Sequence, residues 1–318
     1  MIDYPLNALE VLVIDGMSDD GTRDAISKFS EQHSFIKLVD NEDLVVPHAL
    51  NKGIALAKGE VIIRMDVHCI YPPNYVSTLV QVLLESGADN VGCYLETIPD
   101  GDGIQPRAIA LATSHPFGIG NSKFRLNCQS EEPIIVDTVP FGCFRREVFQ
   151  KFGLFDEELI RNQDNEFNTR ITSGGGKILL IPNLKIKYFA RKNFRALWRM
   201  FFQYGEFGPL VDAKVGRIGS LRRYIPGLFV MGLFIPLVLS FFWKPCGIIG
   251  WAVFLSHSAL NLFYSLAISI TQKRMMLAPF LFIAFLASHL SYGLGYIYGY
   301  FHYIFFGKKT STNTSLSR

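Results

Sequence analysis

Short apolar runs alternate with amphipathic segments over the first 190 residues of the chain. Strands are predicted at Leu12–Ile14, Ile36–Val39, Val61–Met65, Asn90–Leu95, Ile134–Val139 and Ile178–Ile181. Helices are predicted at Arg23–Gln32, from Pro47 to Gly59, at Asn74–Glu85, at Glu147–Phe152 and from about Asn162 to Gly174. This alternation predicts an α/β fold built on a mostly parallel sheet with right-handed crossovers.

Two segments do not follow this alternation. Residues 100–132 are punctuated by glycine, proline and serine, which predicts a loop that shapes the substrate site. Residues 193–207 place aromatic and aliphatic side chains on one helical stripe and two arginines off it: Phe194, Leu197, Trp198, Phe201 and Phe202 against Arg195 and Arg199. Such a helix is typical of a bilayer interface, and a helix that faces the protein core is the alternative. The apolar runs that follow favour the interface.

The last third of the chain consists of three apolar runs, Pro226–Trp243, Ile248–Ile270 and Leu277–Phe306. Each approaches or exceeds the roughly 20 residues that cross the hydrocarbon core, so three transmembrane helices are predicted. We therefore divide the chain into a catalytic domain (1–192), an interface helix with a basic linker (193–224), membrane spans (225–306) and a polar tail (307–318). The polar side chains in the spans, His257, His289, His302 and Asn261, are expected to form interhelical hydrogen bonds.

The charge balance excludes one class of partner and orients the chain. Its 31 basic and 28 acidic residues leave a net charge of +3, which gives no footprint for nucleic acid. Basic residues concentrate at 185–223, directly before the apolar runs, and Lys273 and Arg274 lie between the second and third run. The positive-inside rule then predicts a multi-pass protein of the inner (cell) membrane with a cytoplasmic catalytic domain. Lys308 and Lys309 would lie on the outer side, against the rule.

Two carboxylates stand where predicted strands end. Asp15 follows the first strand and Asp66 the third. Ligands of open parallel sheets bind outside the carboxyl ends of the strands, so both side chains are expected in one crevice. Carboxylates there suit a nucleotide and a divalent metal that holds its diphosphate. For Asp15, a simple turn before Gly16 is an equally good interpretation.

Asp66 and His68 point to the same side of an extended segment. A carboxylate and an imidazole can bind Mn²⁺ or Mg²⁺ when a diphosphate completes the shell. Because hard cations prefer oxygen, Asp66 is the stronger predicted ligand. His68 as a loop residue bonded to backbone is the alternative.

Asp164 is a candidate general base. Asn162 is expected to cap the helix that follows, which places Asp164 in its first turn, where the helix dipole favours the ionised carboxylate. An ionised carboxylate within reach of a hydroxyl can accept its proton. The alternative is an ordinary acidic residue at a helix start.

Taken together, these segments resemble the inverting glycosyltransferases of family 2, which have the GT-A fold (a Rossmann-like nucleotide-diphospho-sugar transferase domain). The similar segments are Val13–Thr22, His48–Glu60, Met65–His68, Val136–Arg146, Gly153–Glu157 and Arg161–Glu166. The subgroup that this chain resembles acts in succinoglycan biosynthesis and adds C-terminal membrane spans to the domain. The likeness covers about residues 9–240.

The resemblance implies a set of roles. Asp164 would be the base, and Asp66, with His68, would hold Mg²⁺ or Mn²⁺. Donor-binding residues would be Asp15, Ser18, Asp20, Asn51, Asp66, Arg161 and Gln163. The implied donor is a nucleotide sugar, and the resemblance to the family implies a UDP-hexose. The implied acceptor is a lipid-linked glycan or a polysaccharide at the membrane.

The chain departs from the family pattern in three places. Asp-x-Asp has become Asp66-Val-His68, which affects the metal geometry. Processive members carry Gln-x-x-Arg-Trp where this chain has Gln203-Tyr-Gly-Glu206-Phe207, which indicates transfer of a single sugar. The family's first strand and helix have no counterpart, so we expect an N-terminally truncated domain. That departure motivates a second hypothesis, a catalytically inactive scaffold of a polysaccharide-assembly complex. A transporter is disfavoured because the spans contain few polar residues.

Overall fold

A computed structural model describes residues 2–126, 130–216, 223–308 and 310 of the 318-residue chain. Parts of the predicted basic linker (217–222) and polar tail (309 and 311–318) lie outside the described residues. The chain divides into two compact units. Among the described residues, one unit contains 2–95 and 130–186, and the other contains 96–126, 187–216 and 223–308.

The first unit opens with a parallel pair of strands. Its elements are β1 (Val11–Asp15), α1 (Thr22–Gln32), β2 (Ile36–Asp40) and α2 (Val46–Leu56). The crossover through α1 makes β1 and β2 parallel, and the register sets Asp15 opposite Asp40. Both strands and both helices agree with the sequence prediction. The carboxyl ends of the two strands each carry an aspartate.

The remaining strands form a second sheet, of six strands. They are β3 (Val61–Ile63), β4 (Cys69–Ile70), β5 (Asn90–Ile98), β6 (Ile134–Ile135), β7 (Cys143–Arg145) and β8 (Ile178–Phe189). The order is β3-β7-β5-β8-β4, with β6 beside β8. Strand β7 is antiparallel to both β3 and β5, and β6 is antiparallel to β8. The sheet is therefore mixed, which corrects the expectation of a mostly parallel one, because β7 enters between two earlier strands in the opposite direction.

Three further helices pack the core of the first unit: α3 (Tyr75–Ser86), α6 (Arg146–Phe152) and α7 (Gln163–Ser173). Phe149 and Phe167 stack with ring centroids 5.5 Å apart and planes inclined by 3°. The helix predicted near Asn162 is confirmed, but its capping is not. Asn162 adopts a left-handed conformation (φ 64°) and its side chain makes no capping hydrogen bond.

The second unit is helical. It contains α4 (Ile104–Ala112), α5 (Pro116–Ile119), α8 (Phe194–Glu206), α9 (Gly208–Val215), α10 (Ile225–Leu239), α11 (Pro245–Thr271) and α12 (Leu277–Gly299), which continues as a π-helix at Tyr300–Phe305. The region predicted as a loop at 100–132 thus contains α4. Ala108 and Ile109 of that helix are fully buried in a cluster with α8 and α12. Their apolar pattern is too short to stand out among the surrounding glycines and prolines.

Helix α8 buries only part of the stripe that the sequence assigned to a bilayer interface, and Trp198 of that stripe is 38% exposed. Leu197 and Phe201 pack in one cluster with α4 and with Leu281 and Phe285 of α12. Gly295 approaches Phe202 so closely that a Cβ there would meet its carbonyl oxygen. Leu197 and Phe201 therefore face the core of the second unit, and a position of α8 at a bilayer interface stays a prediction.

Two described helices, rather than the three predicted, are long and apolar enough to cross a membrane. They are Pro245–Thr271 (27 residues) and Leu277–Phe305 (29 residues), whereas Ile225–Leu239 has only 15 residues. The predicted interhelical hydrogen bonds are present for His257, His289 and Asn261, whereas the His302 ring stacks on Tyr298, one turn away, at 5.2 Å between centroids. His257 Nε2 lies 2.9 Å from His289 Nδ1, and the Asn261 amide donates to the Phe282 carbonyl at 3.0 Å.

Candidate active site

Asp15 anchors a cluster at the end of β1. Its side chain is only 6% exposed and accepts hydrogen bonds from the backbone N–H and the hydroxyl of Ser18, at 2.9 and 2.7 Å. Arg23 of α1 bridges Asp15 and Asp40 at 2.9 and 2.6 Å. Desolvation raises the pKa of Asp15, but the hydrogen bonds from Ser18 and Arg23 outweigh it and hold that pKa below its usual value.

Two predicted donor-binding side chains contact the protein's own backbone. Asp20 accepts a hydrogen bond at 3.1 Å from the N–H of Thr22, the first residue of α1. Asn51 donates to the Phe155 carbonyl at 2.9 Å and accepts from the Phe155 N–H at 3.0 Å, while its amide also reaches Glu157. Both serve the fold here, and their contact with a nucleotide stays a prediction.

Arg64 joins the two carboxylates that the sequence analysis assigned to metal binding and catalysis. Its Nε and Nη2 donate to the two oxygens of Asp66 at 2.8 and 3.2 Å, and its Nη1 donates to Asp164 Oδ1 at 2.7 Å. The guanidinium lies over the Phe141 ring, 5.4 Å from its centroid. Asp66 and Asp164 therefore lie on either side of one cation, which the sequence analysis did not include. The expectation that Asp15 and Asp66 line one crevice stays a prediction.

The backbone of Asp66 is fixed by Tyr71. The Asp66 N–H donates to the Tyr71 hydroxyl at 2.6 Å, and that hydroxyl donates to the Asp66 carbonyl at 3.0 Å. Tyr71 in turn packs on Tyr75, with ring centroids 4.6 Å apart. A loop residue held at both backbone groups presents its carboxylate in a defined direction, which suits a ligand site.

Asp164 occupies the first turn of α7, as predicted, and its side chain is 24% exposed. Burial raises the pKa of this carboxyl, Arg64 lowers it, and the negative charge of Asp66 raises it again, so that the pKa stays above its usual value. The Phe141 N–H also donates to it. Nearby, Gln163 is buried at the start of α7 and Arg161 is partly buried in the preceding loop.

The loop that carries Phe141 has a constrained backbone. Phe141 (φ 65°) and Gly142 (φ 96°) are both left-handed. The Gly142 carbonyl accepts a hydrogen bond from the Arg64 N–H at 3.0 Å. Asn168 of α7 ties the same loop down by donating to Thr138 and to the Val139 carbonyl, at 2.9 and 2.8 Å. The loop, β3 and α7 are thus linked directly around Arg64 and Asp164.

The residues at Asp66 fit a divalent cation that a diphosphate helps to hold. Asp66 Oδ2 and His68 Nε2 lie 4.0 Å apart, and two ligands of one octahedral ion lie about 3 to 4.2 Å apart. His68 is 46% exposed and so accessible. No group of three or more His, Cys, Asp or Glu suited to a metal occurs in the described part of the chain. Substrate phosphates would have to supply further ligands, as is usual for Mg²⁺.

Sequence reasoning missed Arg64, Tyr71, Arg23 and Asp40. A signal for Arg64 existed: it interrupts the apolar run from Val61, and a charged residue at the end of a buried strand requires a partner. The bridging role of Arg23 had no such signal, because arginines are common on exposed helices.

Known proteins resemble this chain over most of its length. Succinoglycan biosynthesis protein ExoA of Rhizobium meliloti (strain 1021) is 29% identical over 224 residues, 70% of this chain and 66% of that protein. The dolichyl N-acetyl-alpha-D-glucosaminyl phosphate 3-beta-D-2,3-diacetamido-2,3-dideoxy-beta-D-glucuronosyltransferase of Methanococcus voltae is 28% identical over 221 residues, 67% of each chain. Each match spans about two thirds of the relative's own length.

Among solved structures, S. aureus TarS 1–349 covers 93% of this chain and 83% of its own at 16% identity, with a TM-score of 0.48. The α/β fold class predicted from the strand and helix pattern is confirmed, with a mixed sheet and apolar C-terminal helices. Residues 1–153 match the family model described as Glycosyl transferase family 2.

Proposed function

We propose that this chain is a membrane-anchored inverting glycosyltransferase that transfers a single hexose from a nucleotide sugar, a UDP-hexose, to a lipid-linked or polysaccharide acceptor. The observation that carries the proposal is the direct link between Asp66 and Asp164 through Arg64. A ligand for the donor's diphosphate and a carboxylate with a raised pKa thus lie on either side of one guanidinium, as in a site where a leaving group and a nucleophile meet.

The proposed chemistry is a single displacement. Asp164 accepts the proton of the acceptor hydroxyl, whose oxygen attacks the anomeric carbon. The bond from that carbon to the diphosphate oxygen breaks, and the nucleoside diphosphate leaves with the electron pair. One substitution inverts the configuration. A divalent cation held by Asp66, with His68, would supply positive charge to the leaving diphosphate.

Membrane anchoring is supported by the two long apolar helices, α11 and α12. Many of the outward side chains of α11 are large and apolar, including Ile248 and Trp251. Lys273 and Arg274 between α11 and α12 favour a cytoplasmic position for that turn, in an inner membrane. The catalytic domain then lies on the same, cytoplasmic side if α10 crosses together with α11, because an even number of crossings separates the domain from the turn. The names of the relatives, one a succinoglycan biosynthesis protein and one a transferase on a dolichyl phosphate sugar, support a glycan or lipid-linked acceptor.

Transfer of one sugar, rather than polymerisation, is supported by the segment after the base. Glu206 stands where processive members carry arginine, and it is buried with its carboxylate 3.4 Å from the Tyr303 hydroxyl. An acid in that setting cannot provide the positive charge of an arginine.

The test is turnover by detergent-solubilised full-length protein. We expect release of nucleoside diphosphate from one member of a panel of nucleotide sugars, dependent on Mn²⁺ or Mg²⁺ and on acceptor lipid. Asp164→Asn should lower the rate by about 10²–10⁴-fold while leaving donor binding intact. Asp24→Asn, which neutralises an exposed acid on α1, is the matched control and should keep full activity.

Two results would contradict the proposal. Folded wild-type protein that binds no nucleotide sugar and turns none over would favour the scaffold hypothesis. Retention of the anomeric configuration in the product, seen by NMR, would exclude the single displacement.

A further inference from the structure

Arg64 occupies the ligand oxygens that the proposed metal requires. Its Nε and Nη2 contact both oxygens of Asp66, so the carboxylate is engaged in a two-pronged pair. Its third donor holds Asp164. The Arg64 side chain is only 10% exposed, so little water screens its charge.

The position of Arg64 is fixed from several sides. Its backbone N–H is bonded to Gly142, and its guanidinium lies over the Phe141 ring. The guanidinium cannot lose its proton under any ordinary condition. A permanent positive charge therefore lies next to Asp66, the carboxylate of the Asp66–His68 pair.

A divalent cation that arrives alone faces two obstacles at this place. It must displace Arg64 from Asp66, and it must then sit within a few ångströms of a unit positive charge. A diphosphate removes both obstacles. Its negative charges balance the divalent cation and the guanidinium, and its oxygens can accept the hydrogen bonds that Arg64 no longer donates to Asp66.

We propose that Arg64 makes metal binding at Asp66 conditional on the diphosphate of the nucleotide, by holding Asp66 and Asp164 in a closed pair until the donor arrives. This inference rests on the proposed function, since it assumes that the ligand of the site is a nucleoside diphosphate. Arg64 is a positioning residue here: it acts through Asp66 on the metal, and through Asp164 on the base.

The experiment measures Mn²⁺ binding to detergent-solubilised full-length protein by the loss of the free Mn²⁺ electron paramagnetic resonance signal, with and without UDP. Wild type should bind Mn²⁺ weakly alone and more tightly with UDP. Arg64→Met should bind Mn²⁺ alone about tenfold more tightly or better, because the opposing charge is gone. In the Arg64→Met variant, UDP should increase the Mn²⁺ affinity by a smaller factor than in wild type.

Three further variants make the result specific. Asp66→Asn should lose Mn²⁺ binding both as a single variant and in combination with Arg64→Met. That loss would assign the bound ion to this site. Lys37→Met removes an exposed ion pair with Glu10, outside the candidate site, and should leave the Mn²⁺ affinity unchanged. Arg64→Lys keeps the charge without the two-pronged contact and should lie between wild type and Arg64→Met; it serves if the methionine variant fails to fold.

The inference is overturned if Arg64→Met and Arg64→Lys bind Mn²⁺ alone no better than wild type, or if wild type binds Mn²⁺ equally with and without UDP. If either result is found and wild type still transfers sugar, this inference is wrong while the proposed function stands. Wild type that binds neither UDP nor Mn²⁺ and transfers no sugar would sink the proposed function instead.

Discussion

The first unit contains the same arrangement twice, in two different surroundings. In one place Arg23 bridges Asp15 and Asp40, and in the other Arg64 bridges Asp66 and Asp164. Arg23 is 30% exposed and Asp40 is 51% exposed, whereas the Arg64 side chain is 10% exposed. The Arg23–Asp40 contact is therefore open to water, whereas Asp15, at 6% exposed, and the Arg64 guanidinium are shielded from it.

The pKa values of Asp15 and Asp164 shift in opposite directions. Asp15 receives two hydrogen bonds from Ser18 in addition to its arginine, and its pKa falls. Burial raises the pKa of Asp164, and the charge of Asp66 adds to that rise although Arg64 opposes it. Both arginines are shared by two carboxylates, so the difference lies in the Ser18 donors at Asp15 and in the burial and the neighbouring charge at Asp164. The second arrangement is the one that suits a base.

The largest expected effect comes from the loop under Arg64. Gly142→Ala would set a Cβ 2.7 Å from Asn90 Oδ1 and closer still to the Phe144 ring, at a φ of 96°. The left-handed strain and the overlap together should cost roughly 2–5 kcal/mol of unfolding free energy. Gly21→Ala, beside the other cluster, meets nothing within 4 Å at a φ of 86°, so it should cost about 1–2 kcal/mol. Denaturant unfolding of the two variants measures both, and equal losses would contradict the comparison.

The next effect tests what holds each acid in place. Tyr71→Phe removes the hydroxyl that bonds both backbone groups of Asp66, which should cost about 1–3 kcal/mol. It should also lower turnover and Mn²⁺ affinity, because Asp66 loses its orientation. Ser18→Ala removes only one of the hydrogen bonds to Asp15, so it should cost about 1 kcal/mol and leave Mn²⁺ binding unchanged. A Tyr71→Phe variant with normal Mn²⁺ affinity would show that the hydrogen bonds between Tyr71 and the Asp66 backbone are not needed for metal binding.

Much of the fold of the first unit could be predicted from local pattern. The helices around Arg23–Gln32 and Asn74–Glu85 and the strands that flank them are short segments whose period or apolar run decides their state. The antiparallel entry of β7 could not be predicted, because it depends on the left-handed backbone at Phe141 and Gly142 and on where the chain returns. Helix α4 was missed because long-range packing, not its own composition, stabilises it.

The candidate site was predictable in its acids but not in its pairing. Asp15, Asp66 and Asp164 each follow a strand or open a helix, which sequence shows. That Arg64 binds two of them, while Asp15 binds Arg23, depends on contacts between residues up to 100 positions apart. Spacing along the chain contains no information on such contacts.

The pH dependence of stability should differ in sign between the two acids. A pKa raised on folding, as for Asp164, adds stability that is complete below the unfolded pKa and is lost as the pH rises through the folded pKa. A lowered pKa, as for Asp15, adds stability that is complete above the unfolded pKa and is lost as the pH falls through the folded pKa. Relative to wild type, Asp164→Asn should therefore gain stability as the pH rises from acid to neutral, and Asp15→Asn should lose it.

Thermal midpoints of the two variants and of wild type, measured across that range, check this prediction. Asp24→Asn is again the control, since it lies exposed on α1. Parallel curves for Asp15→Asn and Asp164→Asn would mean that the two bridges do not differ in the way their surroundings suggest.

The smallest effect is expected at the exposed end of the comparison. Asp40→Asn removes one half of the Arg23 bridge, but Asp40 is 51% exposed and water replaces the lost contact. Its thermal midpoint should stay at the wild-type value in low and high salt alike. Asp66→Asn removes one half of the Arg64 bridge, and the shielded guanidinium then keeps only Asp164 as a charged partner. Its midpoint should fall, and added salt should not restore it, because ions reach a shielded pair poorly. If Asp40→Asn destabilised the protein as much as Asp66→Asn, exposure would not be what separates the two bridges, and the case for a specialised role of Arg64 would lose its physical basis.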